Sequence, residues 1–240
     1  MNIEEFNKIF KNFTELMVLN IDEEQKTLLY TFMKDVLEKN KEINLTAIKD
    51  EKDFIIKHII DSLTIQKYIN KQARVIDIGT GAGFPGIPLK IVRPDIEIVL
   101  VDSLNKRVNF INEEIVKLKL KKIEAIHSRA EELGNMEKYR ENFDYAVSRA
   151  VADTKILAEY TIPLVKIKGK IIFMKGANIE EELQGANKAI KILGGKIKQT
   201  DEIYLTKGDN KRNIVIIEKI DDTPKKYPRK PGMAKKEPIQ

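Results

Sequence analysis

Cysteine is absent from the 240-residue chain, and histidine occurs only at His58 and His127. The first absence removes disulfide scaffolding, thiolate-ligated zinc or iron–sulfur sites, and every mechanism that needs a thiolate nucleophile. The second leaves no histidine pair at metal-ligand spacing, so no metal is expected. Long apolar runs are also missing: Ile96 to Val101 and Ile214 to Ile217 reach strand length and fall far short of a bilayer crossing. The opening Met1-Asn2-Ile3-Glu4-Glu5 is acidic and lacks the basic flank and apolar block of a secretory signal. The expectation is a cytoplasmic protein with no membrane partner.

What is present suffices for a folded core. Apolar residues make up 42% of the chain and charged residues 33%, which excludes disorder over the whole length. The length fits one large domain, or one domain with an appendage. The net charge of +6 is uneven: six Lys or Arg against Glu237 place +5 of it in residues 223–240. That polarity points to a polyanionic partner with the tail as its contact.

Residues 1–70 read as helices. Ile3, Phe6, Ile9, Phe10, Phe13, Leu16 and Met17 form one apolar stripe at three- and four-residue steps. Asp22 can cap a second helix carrying Leu28, Leu29, Phe32, Met33, Val36 and Leu37; Asp50 or Asp53 can start a third with Phe54, Ile55, Ile59, Leu63 and Ile65. Residues 71–222 change period. Strands at Arg74–Ile78, Ile96–Asp102, Ile123–His127, Phe143–Ser148 and Lys170–Lys175 alternate with helices near Lys106–Leu120, Thr154–Val165 and Ile179–Leu193. Such a series predicts a mostly parallel sheet covered on both faces. It ends in two strand-like segments, Ile197–Lys207 and Lys211–Ile220, around the turn signal Gly208-Asp209-Asn210. The expected fold class is therefore α/β and Rossmann-like, with a closing antiparallel hairpin. Residues 223–240 hold four of the eight prolines and predict an extended tail without a helix.

The strongest local signal is Val75-Ile76-Asp77-Ile78-Gly79-Thr80-Gly81-Ala82-Gly83-Phe84-Pro85-Gly86, a strand entering a glycine-rich turn and then a helix. Glycine permits positive φ and removes the Cβ that would block a ligand from the backbone. The next strand ends in Asp102, placed to accept from both hydroxyls of a ribose. Together they predict a cofactor containing adenosine. A nicotinamide dinucleotide would rest its pyrophosphate on the helix N-terminus, where Pro85 lacks a donor; S-adenosylmethionine carries no phosphate, and the closing hairpin favours the methyltransferase arrangement.

Asn44-Leu45-Thr46-Ala47-Ile48, His58-Ile59-Ile60-Asp61-Ser62-Leu63, Asp77 through Leu89, Asp102-Ser103-Leu104 with Lys106-Arg107, Arg129-Ala130-Glu131, Ser148-Arg149-Ala150 and Tyr227-Pro228-Arg229-Lys230-Pro231-Gly232 together resemble one family. It is the bacterial small-subunit ribosomal RNA guanine-N7 methyltransferases, also called glucose-inhibited division protein B, and the resemblance covers nearly the whole chain. It implies a class I S-adenosylmethionine-dependent methyltransferase fold with a seven-stranded sheet, S-adenosylhomocysteine as product, and 16S rRNA in the small ribosomal subunit as partner. It further implies donor contacts at Gly79, Phe84, Ala130, Glu131 and Arg149.

The residues support these placements in part. Ala130 and Glu131 follow the third strand and Arg149 the fourth, at the carboxyl edge where open α/β sheets bind ligands. Ala130 leaves room beside an adenine plane, and Glu131 can accept from an amino group. Arg149 can meet the donor's carboxylate or an RNA phosphate, or pair with Asp144 or Asp153. Asp77 either orients the glycine turn or faces the donor's ammonium group. Lys106 and Arg107, at a helix start, oppose the dipole preference and point toward RNA, and Tyr227 in the tail can stack on an unpaired base. The two histidines read as packed or surface residues, and no catalytic acid or base is assigned. Pyrimidine C5 methylation needs the missing cysteine, and the Asp/Asn-Pro-Pro-aromatic turn of exocyclic-amine methyltransferases is replaced by Val147-Ser148-Arg149-Ala150-Val151. Guanine N7 offers an in-plane lone pair and no proton, so a site without a base suits it. No apolar helix is left over beyond core needs, which predicts a monomer. The rival readings are a nicotinamide-dependent oxidoreductase and an RNA-binding assembly factor with a vestigial pocket.

Overall fold

The computed structural model describes residues 1–16, 20–149, 152–206 and 209–240, the side chains of residues 14–16 excepted. The Leu16 side chain, Met17, Ala150, Val151, Lys207 and Gly208, all named above, lie outside the described residues. The chain forms a seven-stranded sheet with strand order β3-β2-β1-β4-β5-β7-β6. Its strands are β1 (Arg74–Ile78), β2 (Glu97–Asp102), β3 (Ile123–His127), β4 (Phe143–Arg149), β5 (Val165–Lys175), β6 (Gly195–Thr206) and β7 (Asp209–Lys219). The first five pair in parallel; β7 runs antiparallel to both β5 and β6, forming the expected hairpin.

Each central strand is buried on both faces, and its alternate residues enter different cores, as the two-residue period of a pleated strand requires. Val75, Ile98, Leu100, Tyr145, Val147, Ile172 and Ile216 face one hydrophobic cluster. Ile76, Val99, Val101, Ala146, Ile171, Phe173 and Val215 face the other. The first core is roofed by α1 (Ile3–Leu16), α2 (Glu23–Ile43), the segment around α3 (Glu51–Phe54) and α4 (Asp61–Leu63), α5 (Gly86–Val92) and α6 (Asn105–Lys117). The second is covered by α7 (Ala130–Leu133), α8 (Thr154–Thr161) and α9 (Glu180–Ile192).

Asp22 caps α2 in a reciprocal capping box with Gln25, and Asp50 caps α3. Between α3 and α4 the chain runs as a π-helix over Ile55–Ile60, a local widening that the apolar spacing did not foretell. The tail is the main departure from expectation. It contains a short helix, α10 (Met233–Lys236), and it is docked: Tyr227, Ala234 and Ile239 are buried. Charge and proline content predicted an extended tail, but its few apolar side chains fill the second core, and its lysines remain outside.

Candidate active site

The sheet order reverses between β1 and β4, so the loops leaving their carboxyl ends diverge and open a crevice. After β1 the backbone turns through Gly79, Gly81 and Gly83 with φ of 73°, 63° and 99°, values that a side chain would strain. The Val101 carbonyl accepts from the backbone N–H groups of Gly79 and Thr80, and the Asp102 carboxylate from that of Gly81 at 2.9 Å. The other Asp102 oxygen accepts from the Leu104 backbone at 2.9 Å. Arg107 lies 3.5 Å from Asp102 and lines the cleft.

Asp77 orients the turn. Its Oδ2 accepts from Thr80 Oγ1 at 2.7 Å and from the Gly86 backbone at 3.0 Å. Full burial pushes its carboxyl up to about 7, against those hydrogen bonds. Oδ1 has no partner.

On the opposite wall, Arg149 leaves β4 beneath the π-helical segment. Its Nη1 donates to the Lys57 carbonyl at 3.1 Å and to Asp61 Oδ2 at 3.2 Å. Neither acid proposed from sequence is its partner: Asp144 pairs with Lys166 and Asp153 caps α8. Arg149 Nη2 donates to His58 Nδ1 at 2.9 Å, which makes that nitrogen the acceptor and leaves Nε2–H to donate to Thr46 Oγ1 at 2.7 Å. Burial and the adjacent guanidinium push His58 down to about 3, so it is neutral. His58 is therefore a packed histidine, as expected; His127 is exposed, 3.1 Å from the Ser103 carbonyl. Phe84 stacks on His58 with ring centroids 4.6 Å apart, beneath the Arg149 guanidinium. Arg212 Nε lies 3.6 Å from Asp61 Oδ1, so the buried carboxylate sits between two arginines.

The third wall is α7, a single helical turn. Ala130 and Glu131 are both buried on it. One Glu131 oxygen accepts from the Gly232 backbone of the tail at 2.9 Å. Tyr227, assigned above to an RNA base, is packed against this side of the molecule at 9% exposure, and the extended-frame reading is corrected accordingly.

All six residues nominated from the sequence, Gly79, Phe84, Asp102, Ala130, Glu131 and Arg149, line one cleft of about 780 Å³. The cleft also takes in Leu45, Lys57, Asp61, Tyr160, Lys175 and Arg212, which sequence reasoning did not assign to it. Asp61 lay within a quoted segment, and only the packing of α4 on β4 reveals its partners; Arg212 enters from a strand remote in sequence. Among the described residues no group of histidine and acidic side chains could hold a metal ion.

The chain matches the family of rRNA small subunit methyltransferase G, also GidB, over residues 25–215. It is 46% identical over 238 residues to the ribosomal RNA small subunit methyltransferase G of Alkaliphilus oremlandii, covering 98% of this chain and 100% of that protein. It is 49% identical over 225 residues to the protein of the same name from Desulforamulus reducens, covering 93% and 94%. Solved structures share the fold at low identity. M. jannaschii TYW2 in complex with AdoMet superposes with TM-score 0.54, 16% identity, and coverage of 68% of this chain and 76% of that one. A SAM-dependent methyltransferase of Methanosarcina mazei gives 0.51, 15%, and 65% and 96%. With its full-length relatives, its closing hairpin and its glycine turn at the switch point, the chain belongs to the rRNA small subunit methyltransferase G family, whose enzymes are S-adenosylmethionine-dependent methyltransferases.

Proposed function

We propose that the cleft binds S-adenosylmethionine through Gly79, Phe84, Asp102, Ala130, Glu131 and Arg149, and that the chain methylates N7 of a guanine in 16S rRNA of the small subunit, acting as a cytoplasmic monomer. The observation that carries the reading is the convergence of those six residues, drawn from four separate strand ends, on one cleft. The residues fit the donor. A Cβ at Gly81 would meet nothing within 4 Å, so the turn faces open space at a φ of +63°. The volume lies within the range of small-molecule sites. When bound, S-adenosylmethionine supplies an electrophilic methyl group on a sulfonium.

Asp102 would hold the ribose hydroxyls with lone pairs not used by Gly81 and Leu104, and Glu131 would accept from the adenine amino group with the oxygen that does not bond the tail. Among the described residues His58 and Asp61 are not free to act as a general base: both His58 nitrogens are engaged and Asp61 is held between arginines. Guanine N7 needs none, because its lone pair attacks the methyl carbon without losing a proton. Lys57, Arg129, Lys175 and Arg212 line the cleft and suit a polyanionic substrate. The test is transfer from radiolabelled donor to small subunits from cells lacking this protein, followed by base mapping. The expected product is N7-methylguanine in 16S rRNA; label in protein, or at another base atom, refutes the proposal.

A further inference from the structure

Helix α7 carries Ala130 and Glu131 and is only four residues long. One turn has no stability of its own, so its position must come from what packs on it. Much of that packing is the C-terminal tail. Gly232 N–H donates to Glu131 Oε1 at 2.9 Å. Asn135 Nδ2 donates both to the Glu131 carbonyl at 2.9 Å and to the Pro228 carbonyl at 3.1 Å. Arg140 Nη1 joins the Gly134 carbonyl at 2.9 Å to the Tyr227 carbonyl at 2.8 Å. Gly134 is pressed so closely that a Cβ there would stand 2.6 Å from Pro228 Cγ.

The tail in turn is anchored by an ion pair between Arg229 and Glu159. Arg229 donates to both oxygens of Glu159, at 2.9 Å from Nε and 2.6 Å from Nη2, and its backbone N–H adds a third bond at 2.9 Å. Glu159 is 1% exposed and Arg229 partly so, which makes this a half-buried bidentate pair, stronger than a surface contact. Its neighbour Tyr160 lines the cleft together with Glu131.

We propose that the segment 223–240 is the outer support of the donor site and that Arg229 is a positioning residue, which touches no ligand and sets donor affinity by holding the tail against α7 and Glu131. The inference rests on the reading of Ala130 and Glu131 as donor contacts. Linkage makes it reciprocal: if the docked tail favours the donor, then the donor favours the docked tail.

The test measures S-adenosylhomocysteine affinity by calorimetry in the full-length wild type, Arg229→Ala, Arg229→Lys and Glu131→Gln. Amide exchange of residues 131–135 and 223–240 is followed with and without that ligand. Arg229→Ala is expected to weaken binding roughly fivefold or more, within the usual range of coupling between sites. Arg229→Lys, which keeps the charge and loses the fork, should fall between it and wild type. In turnover the donor KM should rise while the KM for small subunits stays unchanged, a split that simple loss of folded protein would not produce. Bound ligand should slow exchange in both segments of the unmutated protein, a result independent of how well any variant folds. Unchanged affinity in Arg229→Ala together with ligand-insensitive tail exchange overturns the proposal, as does a rise in the RNA KM alone. If wild type fails to bind, or Glu131→Gln binds as wild type does, the reading of the donor site fails first. If Glu131→Gln weakens binding and Arg229→Ala does not, the role of the tail alone fails.

Discussion

His58 has a donor on one side and an acceptor on the other, and that arrangement decides its charge. Arg149 offers only N–H groups, so His58 Nδ1 must keep its lone pair, and protonation would place two cations 2.9 Å apart in a buried wall. The unfolded chain binds a proton at His58 near pH 6.5, whereas the folded chain resists until about 3. Stability attributable to this residue is therefore complete above pH 6.5 and drains away as pH falls toward 3. Asp77 has the opposite sign. Its folded value of about 7 lies above the carboxylate norm, so its contribution falls as pH rises through the interval between them. Urea midpoints from pH 4.5 to 7 should thus fall less steeply toward acid in His58→Asn than in wild type; parallel curves would mean that the ring is charged when folded. That the histidine is packed or at the surface, without a catalytic role, could be expected from the sequence. Its tautomer could not, because the guanidinium that imposes it comes from a strand 91 residues away.

At the level of elements, α5 meets β2 through Gly86. A Cβ there would lie 2.1 Å from Leu100 Cδ2 and 2.9 Å from Asp77 Oδ2, so the last glycine of the motif secures close packing of helix on strand. Gly86→Ala should cost about 1–3 kcal/mol in chemical unfolding through overpacking. Gly81→Ala, with open space around its Cβ but positive φ, should cost less, about 1–2 kcal/mol. A Gly86→Ala loss no larger than that of Gly81→Ala would show that the Leu100 side chain gives way without cost. The strand and helix alternation was legible because the central strands read as apolar runs bounded by glycine or acid. The π-helical segment was not: Ile55, Ile56, Ile59 and Ile60 are all buried, so side-chain spacing there cannot tell one winding from another.

Across the whole molecule, the tail is where charge misled. Its lysines are exposed as composition implied, but Tyr227, Ala234 and Ile239 are buried, Glu159 finds its counter-ion in Arg229, and fully buried Lys219 bonds Thr223 and Glu141. Removing residues 223–240 takes away the counter-ion of Glu159 and the apolar contacts of Tyr227 and Ile239 with the second core. Truncation after residue 222 should therefore cost about 3 kcal/mol or more, a fall of roughly 6 °C or more in Tm. A solvated tail would leave Tm unchanged. The sequence by itself determined the α/β class, the glycine turn, the acid after the second strand and the exclusion of thiolate chemistry, since these depend on residue types and short spacings. Only the tertiary structure decided which cation meets which carboxylate, which His58 nitrogen carries the proton, and that the last residues close over α7. Such pairings join positions 70 to 101 residues apart, and their energies depend on burial that no local pattern encodes.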